Sequence, residues 1–208
     1  MTTVANLPER RVILDGVSWE TYERLLADRG ESSGTRFAYD EGTLEIMTTS
    51  FQHEKLKRTI DTLVELIANK MRIPVQGGGS TTFKRKDLAK GFEPDACFYI
   101  QRLQQVRGLD NIDLRKDPAP DLVIEVDITT SSLNKFPIYS RLGVPEVWRY
   151  SGETLAIFKL DGTTYVEQTE SGVLPKLTAS VLNELVQGSP EIDLAELMRR
   201  VQIGLIGG

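Results

Sequence analysis

The segment that most constrains the fold is residues 120–128, with the sequence Pro-Asp-Leu-Val-Ile-Glu-Val-Asp-Ile. At the two-residue period of a β-strand, one face is apolar and the other mostly acidic: Leu122, Ile124, Val126 and Ile128 against Asp121, Val123, Glu125 and Asp127. The β-branched content predicts a central strand rather than a helix. Neighbouring carboxylates on a half-buried face repel each other, so we expect a positive partner beside them, with a divalent metal ion as the obvious candidate.

The composition predicts one globular domain, because 208 residues with 40% hydrophobic and 26% charged side chains are enough to bury a core. Residues 1–208 are therefore expected to form a single domain, with its core at about 50–150 and additions at both ends. No apolar run approaches the roughly 20 residues that span a bilayer, and the first residues lack a signal-peptide pattern. We expect a cytoplasmic protein that does not enter the membrane.

The net charge and the side chains available as metal ligands limit the functions that the chain can have. The formal net charge of −5 argues against a general nucleic-acid coat protein, although a local basic patch would still be enough for a binding site. The chain has one histidine and one cysteine, which excludes a zinc cage built from Cys and His within one chain. Any metal would therefore be held mainly by oxygen atoms.

The pattern of apolar residues and turn signals predicts an alternation of helices and strands. A short helix is expected after Ser18, followed by a hairpin with Gly42 in its turn and a long amphipathic helix capped by Thr49. Residues 101–119 are predicted to be a polar surface excursion. The other predicted elements are strands at 93–100, 120–128 and 144–150, a short helix at 135–142, a meander at 154–167 and helices at 181–186 and 194–201.

The strand predicted at residues 93–100 carries acid on one face, as the central strand does. It begins Glu93-Pro94-Asp95, and we expect it to pair with the central strand and bring Asp95 near Glu125. Neither acid alone is diagnostic, because Asp after Pro is also common at a strand start. The two together favour a site.

Three segments carry a family resemblance: residues 93–95 (Glu-Pro-Asp), 120–126 (Pro-Asp-Leu-Val-Ile-Glu-Val) and 139–148 (Tyr-Ser-Arg-Leu-Gly-Val-Pro-Glu-Val-Trp). Together they resemble the Uma-two family, a branch of the restriction-endonuclease-like PD-(D/E)XK nuclease superfamily. The resemblance implies an α/β fold with a restriction-endonuclease-like core, a mixed β-sheet flanked by helices. An N-terminal helix and hairpin and a C-terminal β-meander plus helices would decorate that core.

The resemblance also implies site residues. Asp95 and Glu125 correspond to the family's metal-binding acids. The superfamily pattern places a lysine two residues after the second acid, but this chain has Asp127 there. Lys135 resembles a lysine that relatives place on the following helix, and we expect it to take that role. Lys84 and Lys86 are weaker substitutes.

Two further family positions match at the start of the long helix. His53 would handle a proton, and Glu54 would support the metal; the simpler alternative for a lone histidine is a structural role. Asp127 is either a third metal ligand or a hydrogen-bonded cap for the turn at 129–132.

The implied activity is that of a Mg²⁺-dependent endonuclease hydrolysing phosphodiester bonds in DNA, with Mn²⁺ as the alternative ion. Asp95, Glu125, Lys135 and His53 would be catalytic. Basic residues would contact backbone phosphates: Lys55, Lys57, Arg58, Lys84, Arg85, Lys86, Lys90 and Arg102. Two alternatives are a noncatalytic nucleic-acid or protein-binding module on the same fold, and a structural homodimer. A homodimer is also expected for the nuclease.

Overall fold

The computed structural model describes residues 9–30, 34–128, 133–188 and 191–204. Within them the chain forms eleven strands and six helices. In chain order these are β1 (Arg10–Leu14), α1 (Trp19–Arg29), β2 (Thr35–Asp40), β3 (Thr43–Thr48), α2 (Phe51–Met71), β4 (Gln76–Gly77), β5 (Phe83–Arg85), β6 (Lys90–Phe92), β7 (Ala96–Tyr99), α3 (Leu103–Val106), β8 (Leu122–Asp127), α4 (Phe136–Leu142), β9 (Glu146–Ser151), β10 (Thr154–Asp161), β11 (Thr164–Gln168), α5 (Ala179–Val186) and α6 (Leu194–Gly204).

The predicted mixed sheet is present and has six strands, in the order β11-β10-β9-β8-β7-β4. The central strand β8 pairs antiparallel with β7 and parallel with β9, and all six of its residues are buried. Its apolar face, with Leu122, Ile124 and Val126, joins the core cluster that also contains residues of α2, α5 and α6. Helix α4 covers the opposite face, where Ile138 and Tyr139 cluster with Val123. Both faces are therefore covered, and the acids of β8 lie on the α4 side.

A second sheet of five antiparallel strands lies in the N-terminal half, in the order β1-β3-β2-β6-β5. The sequence predicted the β2–β3 hairpin of this sheet and an extended segment at 80–86, which contains β5. The tight turn of the hairpin uses positive φ at Glu41 (48°) and Gly42 (103°), as expected of a two-residue hairpin turn. Strand β1 was not predicted; it pairs with β3 over its full length and so carries the N-terminal segment along this sheet.

Helix α1 matches its prediction, because the Ser18 hydroxyl accepts a hydrogen bond from the Thr21 N–H at 3.1 Å and Gly30 ends the helix. The prediction for α2 was wrong by one residue at its cap. Ser50, not Thr49, accepts the hydrogen bond from the His53 N–H, at 3.1 Å. A hydroxyl at either position suits an N-cap, so local sequence did not distinguish them.

Two other predictions change. The segment 101–119 is not wholly on the surface, since α3 buries Leu103 and Val106 against Tyr99. Helix α4 begins one residue later than predicted, with Lys135 as its N-cap, and it ends at Gly143 with φ of 82°. The turn predicted at 129–132 lies outside the described residues. None of the helices in the described ranges is long and apolar enough to cross a membrane.

Candidate active site

Asp95 and Glu125 lie side by side, Asp95 directly before β7 and Glu125 on the neighbouring strand β8. Ala96 pairs with Ile124, so Asp95 stands beside Glu125 at the same end of the sheet. Both residues are buried, at 2% and 6% exposure. The Asp95 Oδ2 accepts a hydrogen bond from the Val126 N–H at 2.8 Å, which ties this carboxylate to the backbone of β8. The pairing expected from the sequence therefore brings the two acids together.

Helix α4 supplies the partners of Glu125. The Lys135 Nζ donates to Glu125 Oε2 at 2.7 Å, and the Tyr139 hydroxyl donates to Oε1. Lys135 and Tyr139 are four residues apart, which places both on one side of a helical turn. By contrast, Lys84 and Lys86 pair on the surface with Glu23 and Glu20, each at 3.1 Å. Lys135 is thus the lysine that reaches the acids.

His53 bridges Asp95 to the N-terminal segment. Its Nε2 lies 2.8 Å from Asp95 Oδ1, and its Nδ1 lies 3.0 Å from Glu9 Oε2. Burial alone would lower the imidazole pKa, but the hydrogen bonds and charges of the two carboxylates outweigh it and raise the pKa to about 9. The protonated imidazole can therefore donate to both acids, which holds Asp95 in one orientation.

Asp127 is buried between two arginines. Its Oδ1 accepts from Arg11 Nη2 at 3.1 Å, and its Oδ2 accepts from Arg149 Nε at 2.6 Å. Glu54 is not brought to the other acids. Its Oε1 faces Arg36 Nη2 at 3.8 Å, and its side chain is 41% exposed.

The pKa values of Asp95 and Glu125 are shifted in opposite directions. Burial raises the pKa of Glu125 to about 7, and the negative charge of Asp95 adds to this, while Lys135 opposes it. Burial also disfavours the Asp95 anion, but the hydrogen bond and charge of His53 hold its pKa below the usual range. Two adjacent carboxylates with unequal pKa values can play different roles.

An open cavity of about 370 Å³ reaches the Glu125 side of the acid pair from solvent. Its lining includes Glu125, Asp127, Lys135, Tyr139 and Arg149. Acidic and basic side chains thus meet on one surface that a charged ligand can reach.

The acid pair fits a hard cation. Mg²⁺ is commonly held by one or two carboxylates while waters and substrate phosphates complete its octahedron. Asp95 and Glu125 would supply that pair. Within the described ranges there is no group of three or more His, Cys, Asp or Glu side chains that could hold a metal ion by themselves. Carboxylate oxygens are the type of donor that Mg²⁺ and Mn²⁺ prefer.

Sequence reasoning missed four side chains of this site: Glu9, Arg11, Tyr139 and Arg149. Tyr139 had a usable signal, since it follows Lys135 at helical spacing. Arg149 required knowledge of the parallel pairing that sets it beside Glu125. Glu9 and Arg11 had no local signal, because charged residues at the start of a short strand are typical of a solvent-exposed segment.

The basic residues predicted to contact phosphates are mostly paired with acids. Lys55 lies 2.9 Å from Glu191, and Lys57 lies 3.7 Å from Asp61. The other pairs are Arg85 with Asp87, Lys90 with Asp40 and Arg102 with Asp121, besides the two pairs of Lys84 and Lys86. Their role in binding phosphate stays a prediction.

Comparison with known proteins identifies the fold and the family. A solved structure described as a "putative nuclease belonging to DUF820" from Anabaena variabilis ATCC 29413 is similar, with a TM-score of 0.51, 13% sequence identity, and coverage of 89% of this chain and 99% of that one. At this identity the likeness shows the fold, and it confirms the restriction-endonuclease-like architecture. No curated protein matches the sequence. The family described as "Uma2: Putative restriction endonuclease" matches residues 19–193, and the chain therefore belongs to the Uma2 family.

Proposed function

We propose that the chain is a metal-dependent endonuclease that hydrolyses phosphodiester bonds in DNA. The single observation that carries the proposal is the juxtaposition of Asp95, Glu125 and Lys135, of which Glu125 and Lys135 line one open cavity. The family description and the name of the similar structure, which both refer to nucleases, support the reaction class.

Each side chain has a role that follows from its contacts. Asp95 and Glu125 would hold Mg²⁺, which polarises a phosphoryl oxygen and lowers the pKa of a bound water. Lys135 lies against Glu125 and offsets the negative charge that develops on the phosphate. His53 orients Asp95, and Tyr139 orients Glu125, so that neither acid has to reorganise during the reaction.

A noncatalytic nucleic-acid-binding module is the second candidate, and one observation favours it. All four carboxylate oxygens of the acid pair already have partners in the protein. Asp95 contacts His53 and the Val126 N–H, while Glu125 contacts Lys135 and Tyr139. The hydrogen bonds of the pair are satisfied without a metal, so the two candidates differ in whether these carboxylates also bind a cation.

The test compares Asp95→Asn, Glu125→Gln and Lys135→Met with the wild type on supercoiled and single-stranded DNA, under titration with Mg²⁺ or Mn²⁺. Asp61→Asn on α2 and Lys70→Met at an exposed position are the matched controls. We expect metal-dependent nicking by the wild type and the controls, and a loss of at least about 100-fold in each site variant.

Metal binding is measured separately, by the electron paramagnetic resonance signal of free Mn²⁺. Binding that needs Asp95 and Glu125, with no cleavage of any nucleic acid, would reject the enzyme and favour the binding module. Cleavage that persists in the Lys135 variant would remove that lysine from the mechanism. The predicted homodimer stays a prediction, which sedimentation velocity of the wild type checks.

A further inference from the structure

Arg149 occupies the position next to Glu125 on the neighbouring strand. Strands β8 and β9 are parallel, and Glu125 pairs with Arg149 in their register. Asp95, directly before β7, therefore forms a row with Glu125 on β8 and Arg149 on β9. Because paired residues of adjacent strands point to the same face, Arg149 lies on the site face of the sheet. Its side chain lines the same cavity as Glu125 and Lys135.

Asp127 holds the Arg149 guanidinium from one side only. The Asp127 Oδ2 accepts a hydrogen bond from the Arg149 Nε at 2.6 Å. Among the described residues, the guanidinium makes no other hydrogen bond. The two Nη groups remain available to a ligand. With 38% of its side chain exposed, Arg149 is far more accessible than Lys135, whose side chain is 8% exposed.

Asp127 is itself fixed in place. Arg11, only 6% exposed, donates to its other oxygen at 3.1 Å and is anchored in turn by Glu9 at 2.7 Å. Asp127 thus cannot turn away from Arg149 without losing a buried partner. An acid is therefore compatible with the position at which the superfamily pattern has a lysine. Asp127 holds the guanidinium of Arg149 on the site face of the sheet, and this arginine supplies the positive charge.

We propose that Arg149 binds a backbone phosphate of the nucleic-acid substrate in this cavity, and that Asp127 is the residue that positions it. The inference rests on the proposed nuclease function, because it takes the ligand to be nucleic acid. A guanidinium presents a planar pair of N–H donors that matches two phosphate oxygens, which a lysine cannot do. Asp127 then serves as an anchor for the arginine and is not a metal ligand.

The test measures binding of a fluorescein-labelled DNA duplex by anisotropy in the presence of EDTA, so that neither metal nor cleavage contributes. The variants are Arg149→Met, Arg149→Lys and Asp127→Asn, with Arg115→Met as the control at an exposed arginine on another surface. We expect Arg149→Met to weaken binding by about tenfold. We also expect it to reduce the slope of log Kd against log salt by about 1. Arg149→Lys keeps the charge but loses the paired donors, so its loss should be about threefold.

A double variant distinguishes positioning from a general structural role. If Asp127 acts through Arg149, then Asp127→Asn weakens binding in the wild type and has no further effect in Arg149→Met. Additive losses would reject the positioning role. Thermal unfolding followed by circular dichroism checks the fold of each variant, and if Arg149→Met fails to fold, Arg149→Lys decides the question by its loss of affinity.

The outcomes separate this inference from the proposed function. Binding that is unchanged in both Arg149 variants overturns the inference, even if cleavage still depends on Asp95 and Glu125. Arg149-dependent binding without any metal-dependent cleavage supports the inference and rejects the enzyme. A wild type that binds neither duplex nor single-stranded nucleic acid overturns both.

Discussion

The ammonium group of Lys135 lies 2.7 Å from the carboxylate of Glu125, and each side chain is 8% exposed. The two residues come from different elements, the N-cap of α4 and the middle of β8. Lys135 also acts on Asp95, whose anion it stabilises, so one cation serves two acids. Charges buried in this way are costly unless they are paired, which makes each member of the group depend on the others.

Removing the lysine should therefore destabilise the protein. We expect Lys135→Met to lower the free energy of unfolding by about 3 kcal/mol at neutral pH, because Glu125 is left without its cation. The double variant Lys135→Met/Glu125→Gln should lose less than the sum of the single variants. Urea unfolding measures all three, with Lys70→Met expected within about 0.5 kcal/mol of the wild type. Additive losses would show that the two side chains do not interact.

Arg11 should be a second point of high sensitivity. Its guanidinium contacts three acids, Glu9 at 2.7 Å, Asp127 at 3.1 Å and Glu45 at 3.6 Å, and its side chain is 6% exposed. We expect Arg11→Met to cost about 3 to 5 kcal/mol of unfolding free energy, since buried acids lose a shared cation.

The control for this prediction is the preceding residue of β1. Arg10 is exposed, so Arg10→Met should change stability by no more than about 0.5 kcal/mol. Chemical denaturation of both variants gives the comparison. Equal effects at the two positions would mean that the ion pairs of Arg11 do not hold β1 against the site.

The raised pKa of Asp61 predicts that the stability of the protein depends on pH in a specific way. Burial raises its pKa from 3.8 to about 6, and Lys57, at 3.7 Å, opposes the shift only in part. A carboxyl whose pKa is higher in the folded state binds its proton more tightly there, so its contribution to stability falls as pH rises from about 4 to 6.

Asp61→Asn removes this ionisation. We expect the variant to be more stable than the wild type by up to about 2 to 3 kcal/mol at pH 8, and close to it at pH 4. Urea unfolding of the variant and the wild type at both pH values measures the difference in their unfolding free energies. The contributions of the other titrating groups are the same in both proteins and cancel. A gain that is the same at pH 4 and pH 8 would exclude the raised pKa as its cause.

Much of the fold could be predicted because its signals are local. The alternation in residues 120–128 sets which face of β8 is buried, and this pattern needs no distant partner. The same is true of the Ser18 cap, the turn at Glu41 and Gly42, and the helical period of α2. The acid pair could also be predicted, since Asp95 directly precedes one strand and Glu125 lies within the next.

The sequence alone therefore determined most of the elements, the α/β class and the two acids. Tertiary structure alone decided what else surrounds the acids: Arg11 arrives on β1 with Glu9 directly before it, and Arg149 arrives through the parallel register. The docking of α4 brings the predicted Lys135 to Glu125. Hydrophobic periodicity is set by neighbours along the chain, so it can be read from the sequence. An ion pair depends on which charges the packed elements bring within a few ångströms, and the chain order does not specify that distance.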